Sequence, residues 1–175
     1  LANPKQRMNY SFNALRLVNS YGAFGAMFKE RLEIVLEGTE ETEVTEQTVW
    51  IAYEFKAKPG DPKRRPPFVP LYHFRLDWEI WFAAHSRTGH HPWLVRYVAK
   101  LLENDEGALS LLANRPFAKP PAFIRARVFR YRFTKPFSGA EGYWTREFVR
   151  DWLPPVSLDD PAMREFLADR GLGGP

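Results

Sequence analysis

Two runs of apolar–polar alternation precede a single block of helical periodicity, and further strand signals follow it. In Arg31–Thr39, Leu32, Ile34 and Leu36 alternate with Arg31, Glu33 and Glu37, the period of a strand with unlike faces. Val49, Ile51, Tyr53 and Phe55 alternate in the same way with Trp50, Ala52, Glu54 and Lys56. The polar connection 38–47, with Glu40, Glu41, Glu43 and Glu46, lets the two runs pair antiparallel. After a proline-rich loop over 56–70 the period changes. Asp77 is placed to cap a helix over 78–86. Pro92 suits a first helical position, and Trp93, Leu94, Tyr97, Val98, Leu101 and Leu102 then share one helix face. A short helix over 106–113 carries Leu109, Leu111 and Leu112. Strand signals return in Phe123–Phe133 and near 143–149, and Asp160 opens a last helix over 161–169, ended by Gly171.

That order predicts an α+β fold: an antiparallel β-sheet of at least four strands, a helical insertion between strands 2 and 3, and a C-terminal helix. A small β-sandwich is the alternative. Within FIRARVFRYRF the arginines change parity, Arg125 and Arg127 against Arg130 and Arg132. A β-bulge near Val128 and Phe129 would bring all four to one face, with Ile124, Ala126, Tyr131 and Phe133 on the other. The chain divides into a lead-in segment 1–18, one domain over 19–153, and a C-terminal helix and tail over 154–175. A chain of 175 residues buries roughly 70% of its unfolded surface. With 45% hydrophobic residues and 15% aromatic residues in the whole chain, it is not a disordered chain.

Several chemistries are excluded. The chain has no cysteine, hence no disulfide scaffold, thiol nucleophile or cysteine-rich metal site. Its net charge of +4 permits acidic partners without requiring nucleic acid. No apolar stretch approaches the length of a membrane span, and Lys5 and Arg7 are not followed by the apolar run of a secretory leader. No dinucleotide fingerprint, P-loop, nucleophile elbow or HExxH helix is present. His90 and His91 are adjacent and diverge on most backbones, so a shared metal needs ligands from elsewhere; no metal site and no cofactor are expected. His73 and Asp77 lie four apart, the spacing of an oriented general base if a helical turn joins them, or of a structural polar link between loop and helix. Phe129, Tyr131 and Phe133 share one strand face, either as stacking residues of an RNA-binding sheet or as core residues beside paired arginines. Asn9-Tyr10-Ser11 matches a glycosylation sequon.

Seven segments, read in order, resemble the lipase maturation factor family. They are NSYGAFG from Asn19, RLEIVLEGT from Arg31, YEFKAKPGD from Tyr53 and RPP from Arg65. YHFRLDWEIWFAA from Tyr72, PWLVRYVAKLLEND from Pro92 and IRARVFRYRFT from Ile124 complete the set. The resemblance covers 19–151, and it implies what composition does not: a soluble portion of a multi-spanning membrane protein, facing the endoplasmic reticulum lumen in animal members. Those members act as chaperone-like factors in the folding and assembly of secreted lipases and are not lipases themselves. Where animal members carry cysteine within the FKAKPG segment this chain has Ala57, so no thiol role transfers. Abundant Arg, Ala and Pro fit a bacterial source, where the domain would be periplasmic or otherwise extracytoplasmic.

The function expected is therefore a non-enzymatic, chaperone-like protein-binding domain of a membrane-anchored lipase maturation factor. Its partner would be a client protein, a secreted lipase, with no nucleic acid. Tyr21, Phe24, Arg65, Tyr72, His73, Arg75, Asp77 and Trp78 are the expected client-binding residues. Two other classes make distinct demands. An RNA-binding sheet module needs Phe129, Tyr131 and Phe133 exposed; a hydrolase using His73 and Asp77, or His85, needs a pocket with convergent polar groups.

Overall fold

Alternation in Arg31–Thr39 becomes strand β1, with Ile34 and Leu36 in the main core and Val35 in a smaller core on the opposite face. The computed structural model describes residues 30–69, 74–135 and 141–169. The chain divides into the units Leu1–Arg31 and Leu32–Pro175. After β1 come β2 (Ile51–Tyr53), α1 (Arg75–Ala84), a single 3₁₀ turn (Thr88–His90), α2 (Pro92–Leu102) and α3 (Glu106–Ser110). β3 (Phe123–Phe133), β4 (Trp144–Val156) and α4 (Pro161–Ala168) complete the described elements. The strands form one antiparallel sheet in the order β2-β1-β3-β4, with Leu36 opposite Tyr53 and Phe129 opposite Phe148. The expected α+β fold is the one observed, with helices between the second and third strands and one after the fourth.

One sheet face carries the main core. Leu94, Val98, Leu101 and Leu102 of α2 pack with Ile80 of α1, Met163 of α4 and Ile124, Ala126 and Val128 of β3. Each fully buried side chain of this size contributes roughly 1.5–3 kcal/mol relative to exposure. Pro92 stands at the start of α2, as its missing N–H allows. Asp105 caps α3 by accepting the Ala108 N–H at 2.8 Å.

Four expectations are corrected in detail. β2 is three residues long because the chain leaves the sheet after Tyr53: the Glu54 N–H donates to Asn114 Oδ1 at 2.7 Å and the Glu54 carbonyl accepts from Ala113 at 2.7 Å. Phe55 then bridges to Leu112 instead of β1. α1 starts at Arg75 without a side-chain cap; Asp77 lies inside its first turn and is buried. β4 runs on through Pro154 and Pro155, which an edge strand tolerates because one row of its backbone groups has no ladder to join. Finally, the register does shift between Val128 and Phe129, but the residue without an opposite number is Val149 on β4. β3 itself keeps its alternation, so the four arginines stay on two faces: Ile124, Ala126 and Val128 line the helix side, while Arg127 lies over the Phe129 ring on the other.

Candidate protein-binding surface

The second sheet face explains that arrangement. At the Tyr131 end it is covered by the segment after β2. The Tyr131 hydroxyl donates to Gly60 O at 2.6 Å, and the Tyr143 and Trp144 amides both donate to Pro62 O, at 2.9 and 3.1 Å. A Cβ on Gly60 would stand 1.9 Å from the Glu54 carboxylate, so a side chain there would displace that carboxylate. Lys58, in the proline-rich loop, is turned inward to Glu33 and to Ile34 O. Arg64 donates to the carbonyls of Phe55 and Lys56. Burial pushes the Tyr131 hydroxyl up to about 12, against a smaller opposing pull from the Arg146 guanidinium.

Beyond that cover the same face becomes a row of arginines on aromatic rings. The Arg125 guanidinium lies 4.1 Å from the Trp50 ring, Arg127 4.3 Å from Phe148 and 5.2 Å from Phe129, and Arg146 4.8 Å from Phe129. Glu37 accepts from Arg125 at 2.7 Å, and Asp151 stands 3.7 Å from Arg127. Such contacts let guanidinium groups cover apolar surface while keeping their charge. At the rim, Phe133 stacks on Trp144 at 4.1 Å and is 69% exposed, while Phe148 is 46% exposed. Val149, next to Phe148 on β4, is exposed as well. Sequence reasoning missed Arg146 and Phe148; their signal was the alternation WTREF in a strand followed by Pro-Pro, the mark of an edge.

Of the residues expected at a client surface, Tyr21, Phe24, Tyr72 and His73 lie outside the described residues. Arg65 is exposed on the loop. Arg75 is exposed on α1 and paired with Glu79 at 2.6 Å; Trp78, on the same helix, packs edge-on against Phe82 at 4.8 Å. Asp77 is not at the surface. Its Oδ1 accepts the Ala57 and Lys58 amides at 2.6 and 3.0 Å, so it pins the covering loop to α1.

The two rival chemistries meet different fates. Phe129 and Tyr131 are buried, so of the three strand aromatics only Phe133 is open to a base. A cleft lined by His85, Ser86, Thr88, Arg150 and Asp151 exists, and burial lowers the His85 pKa. Its hydroxyls, however, donate to main-chain carbonyls, Ser86 to Ala83 at 3.3 Å and Thr88 to Trp152 at 2.5 Å. Arg150 donates to Ala84 O and Ser86 O. These groups hold the 85–88 turn against β4 and are not arranged as nucleophile and base. A separate apolar cavity of about 360 Å³ lies between α2, β4 and α4, lined by Val95, Leu153, Val156, Met163 and Phe166. Among the described residues, no helix is long and apolar enough to cross a membrane.

Comparison with known proteins places these observations. The family described as the lipase maturation factor C-terminal domain matches residues 17–154. The chain is 45% identical to human lipase maturation factor 1 over 183 aligned positions, covering all of this chain and 32% of the relative. It is 46% identical to the bovine lipase maturation factor 1, over 97% of this chain and 31% of the relative, and 38% identical to rat lipase maturation factor 2, over 95% and 24%. It thus spans about a third or less of the length of these relatives. No solved structure matches. The chain belongs to the lipase maturation factor family and corresponds to its C-terminal domain.

Proposed function

We infer that this domain is a non-enzymatic, chaperone-like module that binds partly folded secreted lipases on behalf of a membrane-anchored maturation factor, on the extracytoplasmic side. The observation that carries the reading is the family match over 17–154; the surface of arginines and exposed aromatics along β4 gives it a physical means. Exposed rings bind apolar segments of an unfolded client, and guanidinium groups keep the surface soluble and favour carboxylate-bearing chains. Arg65, Arg75 and Trp78, with Tyr21, Phe24, Tyr72 and His73, are assigned to the same client-binding role, and Asp77 to holding the loop beside it.

The test is refolding. A secreted lipase diluted from denaturant in the presence of the 175-residue chain is expected to yield more active enzyme per mole and to scatter less light than with an inert protein of similar size. Equal yield and equal scattering would count against direct client binding by this domain.

A further inference from the structure

Among the described residues β4 is the outer strand of the sheet next to β3, and its two halves are built differently. Three register shifts fall between Ile124 and Phe129 of β3, opposite the second half, where Pro154 and Pro155 also lie. Bulges and prolines of this kind prevent another strand from adding. From Trp144 to Phe148 the register is regular, pairing with Phe133 through Phe129.

The direction of the backbone in that regular half follows from one hydrogen bond. The Thr134 N–H donates to Tyr143 O at 3.0 Å. Antiparallel pairs alternate between hydrogen-bonded and non-hydrogen-bonded, so Thr145 and Glu147 turn their backbone groups toward β3, and Trp144, Arg146 and Phe148 turn theirs outward. At the start of the strand the Trp144 N–H, like that of Tyr143 just before it, goes outside the ladder to Pro62 O, at 3.1 and 2.9 Å. Those contacts close one end of the edge, and the shift at Val149 closes the other. Between them, that alternation turns the N–H and C=O groups of Arg146 and Phe148 away from β3. Residues 145–149 are all exposed.

We propose that this window of β4 receives an extended segment of another polypeptide as a fifth strand, through the backbone groups of Arg146 and Phe148. This rests on the client-binding reading above and names how the client is held. The side chains specify the segment. Arg146 and Phe148 lie on the face shared with Phe129, where Arg146 presents a guanidinium and Phe148 a half-exposed ring. The opposite face offers Thr145 and Glu147, the latter paired with Arg130 at 3.1 Å. The matching segment therefore carries a carboxylate across from Arg146 and an apolar side chain across from Phe148, with neutral polar residues between. A second copy of this chain does not fit. Antiparallel self-pairing centred on the window sets Arg146 against Arg146, or Glu147 against Glu147, and like charges directly opposite are destabilising.

The probe is the capped peptide acetyl-TVTETVT-amide, added to the 175-residue chain and followed by amide NMR and hydrogen exchange. Slowed exchange and shifted signals at the Arg146 and Phe148 amides are expected, with smaller changes at Thr145 and Glu147. N-methylating alternate peptide amides leaves the side chains intact and should weaken binding at least tenfold; replacing the central Glu by Lys should weaken it severalfold. In the Arg146→Glu variant the order of the Glu and Lys peptides should reverse. Equal binding of the N-methylated peptide, or unchanged Arg146 and Phe148 amides at millimolar peptide, overturns the proposal. Protection of those amides without peptide, rising with protein concentration, overturns it in favour of self-pairing. A failure here with the refolding effect intact removes the edge and leaves the client-binding reading standing.

Discussion

The Lys58 ammonium stands 3.4 Å from Glu33 Oε2, and solvent reaches neither side chain appreciably. The same nitrogen donates to Ile34 O at 2.7 Å and lies 4.6 Å from the Phe55 ring centre. A buried ion pair of this kind is costly to break by halves, because the charge left behind stays desolvated. Lys58→Met is expected to lower the unfolding free energy by about 3–5 kcal/mol, and adding Glu33→Leu to recover most of it. Urea unfolding of the two variants and the parent checks this. A single variant as stable as the parent contradicts the pairing.

Asp77 links the loop to α1 through two main-chain amides. Charge-assisted hydrogen bonds contribute roughly 1.5–3 kcal/mol each and are not additive. Asp77→Ala is therefore expected to cost about 2–4 kcal/mol and to speed exchange at Ala57 and Lys58 before the core amides respond. Asp77→Asn, which keeps one acceptor, should lose less. Hydrogen exchange at those two amides separates this role from a surface one.

Gly142 holds φ at +110°, and a Cβ there would lie 2.8 Å from Pro62 O. Gly142→Ala is expected to cost about 1–3 kcal/mol and to push Pro62 away from the Tyr143 and Trp144 amides. Faster exchange at Trp144, with the Thr134 amide still protected, is the result expected.

Burial raises the hydroxyl pKa of Tyr53, Tyr97 and Tyr131, with Tyr131 at about 12 against an ordinary 10.0. The folded state then holds these protons more tightly than the unfolded one, so stability is complete below about pH 10 and falls as pH rises toward 12. Tyrosinate absorbance followed with circular dichroism should show these three ionising together with unfolding. Ionisation near pH 10 with the fold intact would show them accessible.

The sheet and helix order was legible because β1, α2 and β3 carry clean periods, and the Pro92 and Asp105 positions act within a few residues of themselves. The burial of Lys58 was not, since it depends on Glu33, 25 positions away in the sequence. The arginine parity in β3 suggests a bulge in that strand. Its cause is tertiary: Phe129 and Tyr131 share a face with Arg125 and Arg127, but the residue 54–62 segment covers only one end of it. The Asp77 position was visible and its partners were not, because loop amides carry no side-chain signature. Half of the expected surface cluster falls outside the described residues, and the β4 window depends on which way each amide points, which the sequence alone does not specify.

The most direct test of the account is in the native host. The segment encoding this domain is deleted from the parent gene, and secreted lipase activity is measured per unit of lipase protein. The account predicts a fall in specific activity, with misassembled lipase retained by the cell. Unchanged specific activity, with the shortened parent protein present at its normal level, would contradict a role for this domain in lipase maturation.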